Sequence, residues 1–140
     1  ASRGLGDVYK RQADDGNRLS GNDGFDVFNI STSHNRVLGG DHDDVFNVLD
    51  GAGVNYLNGG EGFDQFWLIP GAGDRPAEAQ MVMDFDSDED VIGLSGVSYD
   101  NIDLESRGGN TLLRVNGADV GLFMNTTTED FHISNFAGLA

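Results

Sequence analysis

The chain has 140 residues, 24 acidic and 8 basic, for a formal net charge of -16. A surface this acidic repels nucleic acid and anionic membranes, and the length leaves no room for a second large globular unit. Twenty-one glycines against two prolines, with no cysteine, exclude disulfides and thiolate metal sites and point to an all-β chain of short strands parted by tight turns.

At the N-terminus, GLGDVYKRQ (Gly4 to Gln12) holds the single lysine. It resembles adapter read-through at the ends of environmental sequence assemblies. Residues 1–11 are therefore read as a non-native leader, and the rest as the C-terminal fragment of a longer protein. No apolar run approaches the roughly 18 residues of a membrane span, and the N-terminus lacks the apolar core of a signal peptide.

Residues 12–67 repeat. LSGNDGFDVF (Leu19 to Phe28), VLGGDHDDVF (Val37 to Phe46) and LNGGEGFDQF (Leu57 to Phe66) share a frame that places Asp26, Asp44 and Asp64 two residues before Phe28, Phe46 and Phe66. QADDGNRLS (12–20), ISTSHNRVL (30–38) and DGAGVNYLN (50–58) fill the gaps, with Asn17, Asn35 and Asn55 in place of aspartate. Six nonapeptides tile the region, with one slip, the pair Val48 and Leu49, expected in a turn. A strand of about three residues with phenylalanine inward, alternating with a glycine turn, makes one coil from two nonapeptides. Stacking the coils puts the aspartates in one column and the asparagines in the opposite one. Phenylalanine recurring in frame argues against a solvated linker.

These residues resemble the haemolysin-type calcium-binding (RTX) repeat, with consensus GGxGxDxUx; GGEGFDQF fits it best. The resemblance implies a parallel β-roll with Ca2+ held between consecutive turns by the repeat aspartates and turn carbonyls. Carried over, a first site takes Asn22, Gly24 and Asp26 with Gly39, Asp41 and Asp44. A second takes Gly40, His42 and Asp44 with Gly59, Glu61 and Asp64, so that Asp44 is shared. Asn22 and His42 stand where the family has glycine, which implies a backbone cost of about 1 kcal/mol or more. The asparagine edge, where Ile30, Ser31, Thr32 and Ser33 replace the glycine turn, is expected to bind calcium weakly or not at all.

Residues 68–80 (LIPGAGDRPAEAQ) carry both prolines and are expected to be a connecting loop. Residues 81–140 are expected to form an antiparallel β cap and secretion-signal region. MVMDFDSDEDVIGLSG (Met81 to Gly96) resembles the segment after the repeats of secreted RTX proteases, where a DF pair precedes an acidic turn and an Ile-Asp-Leu triplet. Gly93 replaces the aspartate of that triplet, while Asp84, Asp86, Asp88 and Asp90 remain as carboxylates. An EF-hand loop is rejected, because Val91 and Val97 stand at its glycine and glutamate places. Thr111–Val115, Asp119–Met124 and Phe131–Phe136 read as strands parted by Asn-Gly and threonine-rich turns. The low lysine content of this half resembles uncleaved type I secretion signals, which implies the type I secretion machinery as a partner.

No catalytic constellation is legible. His34, His42 and His132 lack HExxH spacing, and GLSGV (93–97) lacks the GxSxG elbow. The expectation is a secreted, extracellular, calcium-binding module that is not an enzyme. The alternatives are an adhesion or polysaccharide-binding roll with a glycan or cell-surface partner, and a small complete enzyme.

Overall fold

The computed structural model describes the backbone of residues 8–11 and, in full, residues 16, 18–21, 23–71 and 73–140. The described residues form thirteen strands: β1 (Val8–Arg11), β2 (Arg18–Ser20), β3 (Asp26–Ile30), β4 (Arg36–Leu38), β5 (Val45–Val48), β6 (Tyr56–Asn58), β7 (Gln65–Ile69), β8 (Gln80–Val82), β9 (Val91–Leu94), β10 (Ile102–Arg107), β11 (Asn110–Val115), β12 (Ala118–Phe123) and β13 (Phe136–Ala137). Six strands stack in parallel as one sheet, in the order β1-β3-β5-β7-β9-β13. The second sheet runs β10-β11-β12-β8-β6-β4-β2, parallel from β12 to β2 and antiparallel from β10 to β12. The all-β parallel roll with an antiparallel C-terminal cap is thus the observed architecture.

The two-residue side-chain period makes register decisive, because a slip of one residue would turn every apolar side chain outward. In the first sheet Phe28 pairs with Phe46, Phe46 with Phe66 and Phe66 with Ile92. In the second, Val37 pairs with Leu57, Leu57 with Val82 and Val82 with Phe123. The three phenylalanines are fully buried. Their rings stack at 5.1 Å and 20° between Phe28 and Phe46, and at 4.9 Å and 13° between Phe46 and Phe66. Each contributes about 1.5–3 kcal/mol by leaving water, with ring stacking on top of that.

The slip in the frame lies later than the sequence suggests. Val48 is a strand residue, fully buried and paired with Ile30. The extra residues are taken up in the turn after it, through Asp50 and Gly51. A buried, paired valine could not be looped out without opening the core, whereas a turn absorbs length at little cost.

Parallel stacking also continues past Trp67. Leu68 and Ile69 complete β7, and the loop proper runs from residue 70 to 79. Strands β8 and β9 then add a further coil, with β8 beside β6 and β9 beside β7. At the other end, Val8–Arg11 pairs with β3 from Val8↔Asp26 to Arg11↔Asn29, so the backbone of the presumed leader continues the first sheet.

In the cap, β11 and β12 are joined by Asn116 and Gly117, both with positive φ (52° and 82°), the two-residue turn that matches strand twist. Strand β10 pairs with β11 and was not anticipated. The expected strand Phe131–Phe136 is instead two short 3-10 turns, Thr128–Asp130 and Ile133–Asn135, leading into β13. Reciprocal side-chain caps hold both turns: Asp130 accepts from the Thr127 N–H at 2.9 Å, and Asn135 from the His132 N–H at 2.9 Å. Phe85 lies 6.3 Å from Phe66 and packs on Phe123 and Phe131 at 5.2 and 5.3 Å, closing the end of the phenylalanine column. No helix among the described residues is long and apolar enough to cross a membrane.

Candidate metal site

Gly21, Gly39 and Gly59 each precede the repeat aspartate by five residues, and the reason for glycine is steric. A Cβ on any of them would overlap the Oδ2 of its own repeat's Asp26, Asp44 or Asp64. On Gly21 that Cβ would also lie 2.8 Å from the Gly39 carbonyl oxygen, and on Gly39 it would lie 2.7 Å from that of Gly59. At both places a carboxylate oxygen and a carbonyl oxygen of the next coil crowd one point. Both are acceptors on the same side of the glycine, where a cation could meet a carboxylate and a main-chain carbonyl together.

Other carbonyls face the opposite way. A Cβ on Gly60 would overlap the Gly40 carbonyl oxygen, and one on Gly62 that of His42. Carbonyls of Gly40 and His42 therefore approach the turn of residues 59–64, while that of Gly59 approaches the turn of residues 39–44. His42 holds a left-handed backbone (φ 74°) where Gly24 (93°) and Gly62 (104°) occupy the same place in their repeats. Its ring Nδ1 accepts the Gly24 N–H at 3.3 Å, which helps to hold that conformation.

The aspartates form a ladder. The N–H of Asp26 donates to Asp44 Oδ1, that of Asp44 to Asp64 Oδ1 and that of Asp64 to Asp90 Oδ1, each at 2.9 Å. All four residues are buried. Asp90 also accepts the Asp86 N–H at 2.9 Å, while Asp84 accepts from both Gly59 and Gly60 at 2.8 Å. The Asn135 side chain fixes this acidic turn by donating to the carbonyls of Ser87 and Asp90. Asp90 as a fourth rung escaped the sequence reading, because the loop before β8 destroys the spacing. The surviving signal is local: Asp90-Val91-Ile92 repeats the pattern of Asp26-Val27-Phe28 and Asp44-Val45-Phe46.

Buried carboxylates without a counter-charge resist ionisation. Burial pushes Asp64 up to about 9, against the hydrogen bond from the Asp44 backbone, and the carboxylates of Asp90, Asp44 and Asp84 add to the rise. Burial likewise raises Asp90 to about 6, opposed by the N–H groups of Asp64 and Asp86. Oδ2 of Asp64 is buried and accepts no hydrogen bond. An orphaned carboxylate oxygen, converging carbonyls and a hard-oxygen donor set fit a calcium-type cation.

On the opposite edge the amides of Asn35, Asn55 and Gln80 pair with one another. Asn55 Oδ1 accepts from the backbone and side chain of Asn35, at 3.0 and 2.8 Å. Its Nδ2 donates to the carbonyls of Thr32 and Gly53 and to Gln80 Oε1. Gln80, unforeseen from the sequence, continues the column in β8. Neutral amides act as both donor and acceptor, so this ladder satisfies itself without an ion.

Of the expected ligands, the structure aligns Asp26, Asp44 and Asp64 in the buried column, with Gly39, Gly40, His42 and Gly59 in the turns beside it. Gly24 lies in the first turn, while Asp41 and Glu61 are exposed at the turn tips. Asn22 and Asn17 lie outside the described residues. Among the described residues no three His, Asp or Glu side chains are grouped to hold a metal ion, so a cation here would depend heavily on main-chain carbonyls. No protein-family model matches the chain, and no curated protein matches it at a significant level.

Proposed function

We propose that this chain is a calcium-binding module of the haemolysin-type repeat class, the C-terminal part of a secreted protein, that completes its folding on meeting extracellular calcium and supports type I secretion. The observation that carries the reading is the crowding of Asp44 Oδ2 and the Gly59 carbonyl oxygen against Gly39, repeated one coil earlier by Asp26, Gly39 and Gly21. Bound calcium supplies the positive charge that the buried Asp64 lacks.

Gly40, His42 and Gly59 would offer carbonyls between the second and third turns, with Asp44 and Asp64 as the carboxylates. Asp84 and Asp90 extend the same acidic edge beyond Asp64. Because the turns draw together only when the roll forms, binding free energy becomes folding free energy. With no counter-cation, the buried carboxyls of Asp64 and Asp90 oppose compaction, so the chain stays loosely ordered at cytosolic calcium and is fit for export. The module itself is assigned no catalytic role.

Far-UV circular dichroism against free calcium tests this. A cooperative gain of β signal, with half-saturation of about 10⁻⁴ to 10⁻³ M as in extracellular calcium modules, supports it. Equal β content and equal thermal midpoints in chelator and in calcium would refute it.

A further inference from the structure

We propose that the outer face of the first sheet binds a neutral carbohydrate chain, with Trp67 as the stacking platform and Asn47 and Gln65 as its polar flank. The reading rests on the fold and not on the calcium assignment. Core residues of β3, β5, β7 and β9 leave Val27, Asn29, Val45, Asn47, Gln65, Trp67, Val91 and Gly93 on the other side, and Ala137 of β13 pairs with Gly93. None of these residues of β3 to β13 is charged, in a chain whose net charge is -16, and the register places Arg11 of β1 beside Asn29, away from Trp67.

Trp67 lies on this face in an unusual way. It pairs with Gly93, and a Cβ on Gly93 would overlap Cδ2, Cε3 and Cε2 of the indole. A Cβ on Gly138 would stand 3.0 and 3.2 Å from Cζ3 and Cη2. One face of the ring is therefore laid against backbone that only glycine leaves open, and the ring stays half-buried with the remaining area toward solvent. Nε1 donates to Gln65 Oε1 at 2.8 Å, which fixes the ring orientation. Immediately after Trp67 the pairing of β7 with β9 shifts register, a local irregularity of the kind that re-aims a side chain.

A pre-set aromatic face beside amides suits a pyranose ring. The sugar's C–H groups carry slight positive charge and meet the negative face of the π system, while its hydroxyls find donors and acceptors at the edge. Asn47 is the in-register neighbour of Trp67 on β5, and its Nδ2 donates to Asn29 Oδ1 at 3.2 Å, so the amides form a row across the strands. Charge selects the class of sugar. A polyuronate would be repelled by the molecule as a whole, whereas a neutral glycan meets a neutral strip.

Trp67 is the single tryptophan, so its emission reads the site directly. The calcium-saturated chain, with its fold checked by circular dichroism, is titrated with cellohexaose and separately with polygalacturonate. A saturable change in emission with cellohexaose alone is expected. In Asn47→Ala the half-saturation concentration should rise about fivefold, the loss of one net hydrogen bond, at a temperature where circular dichroism shows the variant fully folded. No saturable change with cellohexaose overturns the proposal, as does an equal response to polygalacturonate or an unaltered affinity in Asn47→Ala. Failure here leaves the calcium response intact, so the two readings fail separately.

Discussion

The N–H of Asp64 donates to the carboxylate of Asp90 at 2.9 Å across 26 residues of sequence, which ties the last recognisable repeat to the acidic turn of the following coil. Asp64 accepts the Asp44 N–H in the same way, so it needs an oxygen at that place but not a charge. Asn supplies the oxygen without the charge. Asp64→Asn is therefore expected to raise the urea midpoint in chelator, by removing a buried carboxylate beside Asp90, Asp44 and Asp84. The same variant should weaken calcium binding about tenfold or more, since a neutral ligand replaces an anionic one. Unfolding curves of both proteins with and without calcium check the inversion; a loss of stability in chelator would contradict it.

The raised acidities set a pH dependence whose sign follows from linkage. Asp64 at about 9 and Asp90 at about 6 hold protons in the folded state that the unfolded chain, with an ordinary value of 3.8, has released. Their contribution to stability is complete below 3.8 and is lost as pH rises, through about 6 for Asp90 and about 9 for Asp64. Metal-free protein should accordingly be more stable near pH 5 than near pH 8, by an effect within about 1–5 kcal/mol. Calcium binding must displace these protons, so its apparent affinity should climb over the same interval. Thermal midpoints across pH in chelator, paired with calorimetric titrations in buffers of different ionisation enthalpy, measure both trends.

Glycine is required for different reasons at different turns, and substitution separates them. Gly39→Ala would place a methyl 2.5 Å from Asp44 Oδ2, a carboxylate held by the ladder, and 2.7 Å from the Gly59 carbonyl oxygen. It should abolish the calcium response or shift it more than tenfold, and cost about 3 kcal/mol as overpacking does. Gly117→Ala meets nothing within 4 Å, but its φ of 82° strains an alanine. The cost there is about 1 kcal/mol, with calcium affinity unchanged. Calcium titrations of the two variants, side by side, distinguish a ligand cradle from an ordinary turn.

What the sequence revealed tracks the physics of each region. Phe28, Phe46 and Phe66 were legible as a column because one coil equals 18 residues where no insertion intervenes, and packing then repeats the same solution. Asp90 and Gln80 were not legible as rungs of the two ladders. The loop of residues 70–79 resets the spacing, and Gln80 replaces asparagine with a longer side chain that reaches the same partners. Phe131–Phe136 has strand-like composition, yet Asp130 and Asn135 capture nearby backbone N–H groups and bend the chain into 3-10 turns. The carbonyls that crowd Gly21 and Gly39 carry no side-chain signature at all; only the glycines they impose appear in the sequence.

Gly93 stands where the resembled proteases have aspartate, and the indole of Trp67 accounts for it. Any side chain at 93 would enter the ring, so this position and residue 67 are coupled. Gly93→Ala alone should lower the thermal midpoint, at a cost of about 1–3 kcal/mol, and shift tryptophan emission to longer wavelength as the ring is lifted toward water. Trp67→Ala alone loses the packing of the ring on Gly93 and Gly138. Once the ring is gone, Gly93→Ala should cost little, and alanine adds conformational restriction to the unfolded chain. The double-mutant cycle should therefore give a coupling of about 1 kcal/mol or more, since residues in contact do not add. Simple additivity would mean that something other than the indole demands glycine at position 93.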